Sequence, residues 1–199
     1  VAQERYTPAA SAVVLSSSVH AQGGRQGELR ALDQAWRAQP QNLDAALAYA
    51  RAVFTLGLTE GDLRWFGSAK AALTPWWQAT DLPADGFFLR GLVKQGFHAF
   101  DAGLQDIQQA IAKAPRRAEF WSWQFALHLL LADMAAARQD TEEMARLFGP
   151  QEAQVYRAVL LYRTGQPQPA IGLLNTAIRA AQFQDPSSQV WLGFHLGEA

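Results

Sequence analysis

The sequence predicts an all-α chain of stacked antiparallel helix pairs, and three observations lead there. Apolar residues recur at helical spacing through most of the chain. Prolines and glycines interrupt that spacing at short, regular intervals. A set of small and apolar positions then repeats every 33 or 34 residues.

The clearest unit runs from Phe87 to Pro115. Phe88, Leu89 and Leu92 share one face of a first helix, and the chain turns around Gly96 and His98. Leu104, Ile107 and Ile111 mark a second helix, which Pro115 ends because its ring cannot continue the hydrogen-bond ladder. Gly91 and Gly103 carry no side chain, so one helix can approach the other closely. From Gly103, steps of four, three and five residues reach Ile107, Ala110 and Pro115. The same steps from Ala137 reach Thr141, Met144 and Gly149, and from Ala170 they reach Leu174, Ala177 and Gln182. Phe100, Met134 and Pro167 share those offsets, just before each second helix.

With these residues the sequence resembles the tetratricopeptide repeat (TPR) family over roughly residues 25–182. Trp121 supplies the aromatic that opens a first helix in the family pattern, and Gly91 and Ala158 supply its small residue. Phe125 occupies that small-residue place in its own copy, so helix contacts there must differ. The resemblance implies a right-handed superhelix of stacked antiparallel helix pairs, a TPR-like α-α solenoid with its concave face lined by the first helix of each pair. It is compatible with cytoplasmic and exported proteins alike.

Taken in order, residues 1–24 show no sustained period, and Ser16–Ser18 and Gly23–Gly24 predict an extended or disordered arm. Residues 25–199 then form one repeat domain. A capping helix over 26–39 carries Leu29, Leu32, Ala35 and Trp36, and covers the end of the stack. Asn42 or Gln41 leads into the first hairpin, 43–75, with a long turn at Gly57–Gly61, Asp62 as a helix cap and Pro75 ending it early. Adjacent Trp76 and Trp77 follow, either stacking on a ligand or folding back over the groove between hairpins; the second reading is favoured. Hairpins follow at 84–115, 118–149 and 151–182, and a final helix at 187–199 carries Val190, Trp191 and Phe194. Asp101 and Asp106 read as helix-start and surface residues. Asp140, Glu142, Glu143 and Arg146 read as a solvated face, with Glu142 and Arg146 spaced for an ion pair.

Composition narrows the function. The 199 residues carry 17 basic and 18 acidic side chains, a net charge of −1 with no basic stripe, which argues against nucleic acid. The absence of cysteine excludes disulfides, thiolate metal sites and cysteine nucleophiles. No apolar run reaches the ~20 residues needed to span a bilayer. The polar, Ala/Ser-rich start at Val1 points to a processed bacterial, periplasmic or otherwise exported protein, with the cytoplasm as the alternative. No phosphate loop, dinucleotide fingerprint, HExxH helix or nucleophile elbow is present. His20, His98, His128 and His195 are scattered, though His98 and His128 could approach one another; they read as hydrogen-bonding residues rather than metal ligands. The expectation is therefore no enzyme, no cofactor and no metal.

Binding remains. The family pattern directs Arg51, Phe54, Phe88, Leu92, Gln95, Trp123, Leu130, Tyr156, Tyr162 and Arg163 towards the concave groove. That aromatic and apolar set, with two arginines near opposite ends, suits an extended or helical peptide of a protein partner, with hydrophobic anchors and an acidic end. Aromatic stripes at helical spacing are more often core than site, so several of these side chains also read as packing between neighbouring hairpins, and a C-terminal helix filling the groove is a further reading. The alternatives are a structural or oligomerisation module with no free peptide ligand, including homo-oligomerisation, and a small-molecule pocket within the superhelix.

Overall fold

In a computed structural model, residues 17–179 are described, and all their regular elements are helical. Helix α1 spans Ser17–Ala38, and four hairpins follow it. These pair α2 (Leu43–Glu60) with α3 (Arg64–Leu73), α4 (Ala84–Gly96) with α5 (Phe100–Lys113), α6 (Ala118–Leu130) with α7 (Met134–Phe148), and α8 (Pro150–Arg163) with α9 (Pro167–Arg179). The helices touch in chain order, and α2 also reaches α4.

The repeat read in the sequence is a repeat of contacts. Phe100, Met134 and Pro167 are the first residues of α5, α7 and α9. Gly103, Ile107 and Ala110, Ala137, Thr141 and Met144, and Ala170, Leu174 and Ala177 are all buried. Gly91 and Gly103 face each other across the α4–α5 contact. A Cβ on either would lie 2.8–2.9 Å from the other's carbonyl oxygen, so only hydrogen fits.

Each hairpin reverses in the same way. A residue one or two places beyond the first helix adopts a left-handed conformation: Gly61, His98, Ala132 and Gly165, with φ of 67°, 62°, 59° and 78°. The next N–H then bonds back into the helix: Asp62 to Gly57 O, Ala99 to Lys94 O, Asp133 to His128 O and Gln166 to Leu161 O. This closes orphan carbonyls that would otherwise face the loop. Asn42 caps α2 by accepting from Ala45 N, as expected.

Some expectations change. Helix α1 begins at Ser17, so part of the predicted arm is helical. Gly23 and Gly24 weaken a helix by about 1 kcal/mol each without forbidding it. The Gly57–Gly61 segment is not an enlarged turn, because α2 continues to Glu60. Gly57 is there for contact: a Cβ would lie 2.7 Å from the Phe66 ring. The arm's first 16 residues and the 187–199 helix lie outside the described residues.

The largest correction concerns two aspartates assigned to the surface. Asp106 is buried, bonded at 2.7 Å to Arg90 through both carboxylate oxygens and at 2.7 Å to Lys94. The remaining Arg90 nitrogen donates to the carbonyls of Trp76, Trp77 and Ala79, which pins the connector after α3. Trp76 and Trp77 therefore pack against the main core, as the fold-back reading has it. Asp140 is also buried, 2.6 Å from Gln124 Nε2 and 2.6 Å from His128 Nδ1. The two clusters occupy the same repeat positions, so the buried carboxylate is itself repeated. Arg146 pairs with Glu143 at 2.6 Å rather than with Glu142. His98 is exposed at its turn, edge-on to Phe100, while His128 is held by Asp140; each has a separate partner.

Candidate functional site: the groove between α6 and α8

The first helices of the hairpins differ in how fully their shared face is filled. Between α2 and α4 it is closed. Phe54, Phe88 and Leu92, expected in the groove, are buried, with at most 3% exposed. Phe54 stacks on Phe66 at 5.0 Å and meets Trp123 edge-on, and Phe88 lies 4.4 Å from Phe120. A helix in a solenoid is apolar both where it meets the next hairpin and where it lines a groove. Helical spacing alone does not separate the two faces.

Arg51 stays at the surface, but its guanidinium is taken by Asp85 at 3.3 Å and Glu119 at 2.9 Å. Those carboxylates sit at the equivalent positions one and two repeats later. Arg117 adds a second cation on Asp85 at 3.0 Å. Gln95 is half-buried against Gly103, inside the α4–α5 contact.

Between α6 and α8 the face is open, and a cavity of about 470 Å³ lies there. Helix α6 contributes Ser122, Trp123, Phe125, Ala126, Leu129 and Leu130 to its wall; α8 contributes Tyr156, Val159, Tyr162 and Arg163. Five of the ten predicted residues thus come together: Trp123, Leu130, Tyr156, Tyr162 and Arg163. The five sequence reasoning missed fall on the same stripes. Ser122, Ala126 and Leu129 sit at helical spacing around Trp123 and Leu130, and Val159 lies between Tyr156 and Tyr162.

Phe125 accounts for much of the shape. It stands where the two preceding hairpins carry Gly57 and Gly91, and a phenyl ring is far larger than the hydrogen those positions hold. Its ring lies edge-on to Tyr156 at 5.3 Å, spanning from α6 to α8. Ser122 Oγ and the Tyr156 hydroxyl share a hydrogen bond of 2.7 Å across the same gap. Aromatic and hydroxyl contacts thus brace the floor, while Ala126 and Leu130 remain exposed along α6.

The electrostatics are simple. Among the described residues Arg163 is the one charged side chain lining the cavity, and it has no ion-pair partner there. Arg51, at the other end of the predicted lining, is neutralised by its two carboxylates. Among the described residues no cluster of His, Asp and Glu could hold a metal ion, and no helix is long and apolar enough to cross a membrane.

No protein-family model and no curated protein sequence matches the chain. Solved structures do. The thermophilic TPR protein TTC0263 of Thermus thermophilus is 20% identical, with a TM-score of 0.60 over 92% of this chain and 95% of that one. YrrB, a TPR protein with an unusual peptide-binding site, is 16% identical with a TM-score of 0.60, over 93% of this chain and 88% of its own. MamA is 15% identical with a TM-score of 0.56, over 86% of this chain and 99% of its own. The contact repeat, the four identical reversals and these likenesses agree: the chain has the fold of the tetratricopeptide repeat proteins, an all-α right-handed superhelix of stacked antiparallel helix pairs.

Proposed function

We propose that the chain is a protein-interaction scaffold that binds a peptide segment of a partner protein in the groove between α6 and α8. The observation that carries this reading is the open, mostly apolar cavity between α6 and α8, where the corresponding face between α2 and α4 is filled. Its volume of about 470 Å³ lies within the usual range for binding pockets and accommodates a few side chains. Exposed apolar surface rimmed by a few polar groups is what a peptide with apolar anchors requires. YrrB has a peptide-binding site on the same fold, which adds support.

Site-specific photocrosslinking tests the proposal. A photoreactive amino acid at Ala126, exposed within the cavity wall, is compared with one at Gly67, exposed on α3. The expected result is a crosslink from position 126 to one short segment of a partner, mapped by mass spectrometry, and none from position 67. Adding Leu130→Asp should abolish it. Crosslinks of equal yield from both positions would overturn the assignment.

A further inference from the structure

We infer that the groove selects peptides in which an apolar anchor is followed or preceded, within four residues, by an Asp or Glu side chain. The inference rests on the proposed function and adds the chemistry of the partner.

The cavity is chemically asymmetric. Its floor is made of Phe125, Val159 and the braced pair Ser122–Tyr156, which offers apolar surface and hydroxyls already bonded to each other. At its other end stands Arg163, exposed, without a carboxylate partner among the described residues. Arg116, Arg138 and Arg157 likewise hold no carboxylate among the described residues, and what distinguishes Arg163 is that it lines the apolar cavity.

A guanidinium beside an apolar cavity favours a ligand that brings its own carboxylate, since the fork geometry accepts both oxygens. The C-terminal end of α8 carries a partial negative charge that would oppose an anion. That charge is already answered, because the last carbonyls accept from Thr164, Gly165 and Gln166 N–H groups and from Thr164 Oγ1. Among the described residues no carboxylate lines the cavity to repel the ligand. A single exposed arginine matches one acidic side chain. Capture of a chain's terminal carboxylate would call for several converging donors, which the described wall lacks.

Spacing follows from geometry. Val159 and Arg163 are four residues apart on α8, about 6 Å along its axis. An extended ligand covers that distance in about two residues. A helical ligand covers it in about four.

The test is selection of random dodecapeptides, displayed as internal fusions, on the full chain. The expected winners carry an aromatic or aliphatic anchor with Asp or Glu two to four residues away. A winning peptide, made with a C-terminal amide, should lose roughly fivefold in affinity when its acid becomes Gln. It should lose no further affinity from that change when measured on Arg163→Gln, and Arg163→Glu should select Lys or Arg instead. Apolar winners without an acid preference, or an equal Gln penalty on Arg163→Gln, would overturn the inference and leave the groove standing. Winners that bind Leu130→Asp as tightly as the native chain would overturn both. So would the absence of winners, and a dimer dissociated by Leu130→Asp would then assign the groove to a second copy.

Discussion

Removing the Asp106 carboxylate by Asp106→Ala should be among the most damaging single changes in the chain. The Arg90 and Asp106 side chains are only 6% and 7% exposed, and Lys94 is 18% exposed. The substitution takes away two short charge-assisted bonds from Arg90 and the partner of Lys94 in one step. It leaves a buried guanidinium held only by three backbone carbonyls, those of Trp76, Trp77 and Ala79. Breaking one side of a buried pair costs about 3–5 kcal/mol, and the carbonyls place this case near the lower end, ~3 kcal/mol. Against a typical domain stability of about 5–15 kcal/mol, that is a large share. Urea unfolding followed by tryptophan fluorescence reads it out, with Trp76 and Trp77 beside the lesion. With a slope of about 1–3 kcal/mol per molar, the midpoint should fall by about 1–3 M. Arg90→Met with Asp106→Leu should recover part of the loss, because no buried guanidinium is then left without its carboxylate and the Lys94 ammonium, 18% exposed, can turn to water. A midpoint for Asp106→Ala within about 0.3 M of the native chain would refute the claim that this pair stabilises α4 against α5.

Other consequences are smaller and differ in sign. Gly91→Ala places a Cβ 2.8 Å from Gly103 O and should cost about 1–2 kcal/mol by thermal melting. Gly67→Ala, mid-helix with no atom within 4 Å of its would-be Cβ, should instead gain about 0.5–1 kcal/mol. Ala132→Gly relieves a left-handed φ of 59° and should raise Tm by about 2–4 °C. Burial holds the Tyr49 phenol above its usual pKa, with the Asp33 carboxylate adding to the shift. Below about pH 10 that stability is fully present, and it is lost as pH rises through the higher pKa of the folded state. Melting between pH 8 and 11 should therefore show the native chain losing stability relative to Tyr49→Phe. Parallel curves would contradict this.

The hairpins were legible because their signals are local. Helical periodicity, Pro115 and the Gly91–Gly103 pair each act within a few turns, and the observed boundaries follow them closely. Three groove residues, Phe54, Phe88 and Leu92, proved to be core, because the amount of space between neighbouring first helices is a tertiary property. The open stretch was partly foreshadowed by Phe125, a large residue where Gly57 and Gly91 stand in earlier copies. Asp106 and Asp140 were misread because an aspartate on a polar-looking helix is usually solvated. The register held the correction: Arg90, Lys94 and Asp106 map onto Gln124, His128 and Asp140 one repeat later. A polar trio recurring at fixed offsets across two hairpins marks a buried network. Where Asp106 meets a guanidinium and an amine, Asp140 meets an amide and an imidazole, so only comparison between copies exposes the motif.

Binding of a partner peptide between α6 and α8 is what the proposed function requires. The most direct measurement is calorimetric titration of a photocrosslink-mapped peptide against the native chain and against Ala126→Glu with Leu130→Asp. Both positions are exposed, so circular dichroism should show both proteins equally helical. Affinity should fall at least tenfold in the double variant, since two carboxylates then stand on the apolar wall that the anchor must occupy. Equal affinity for the two folded proteins would contradict the proposed function.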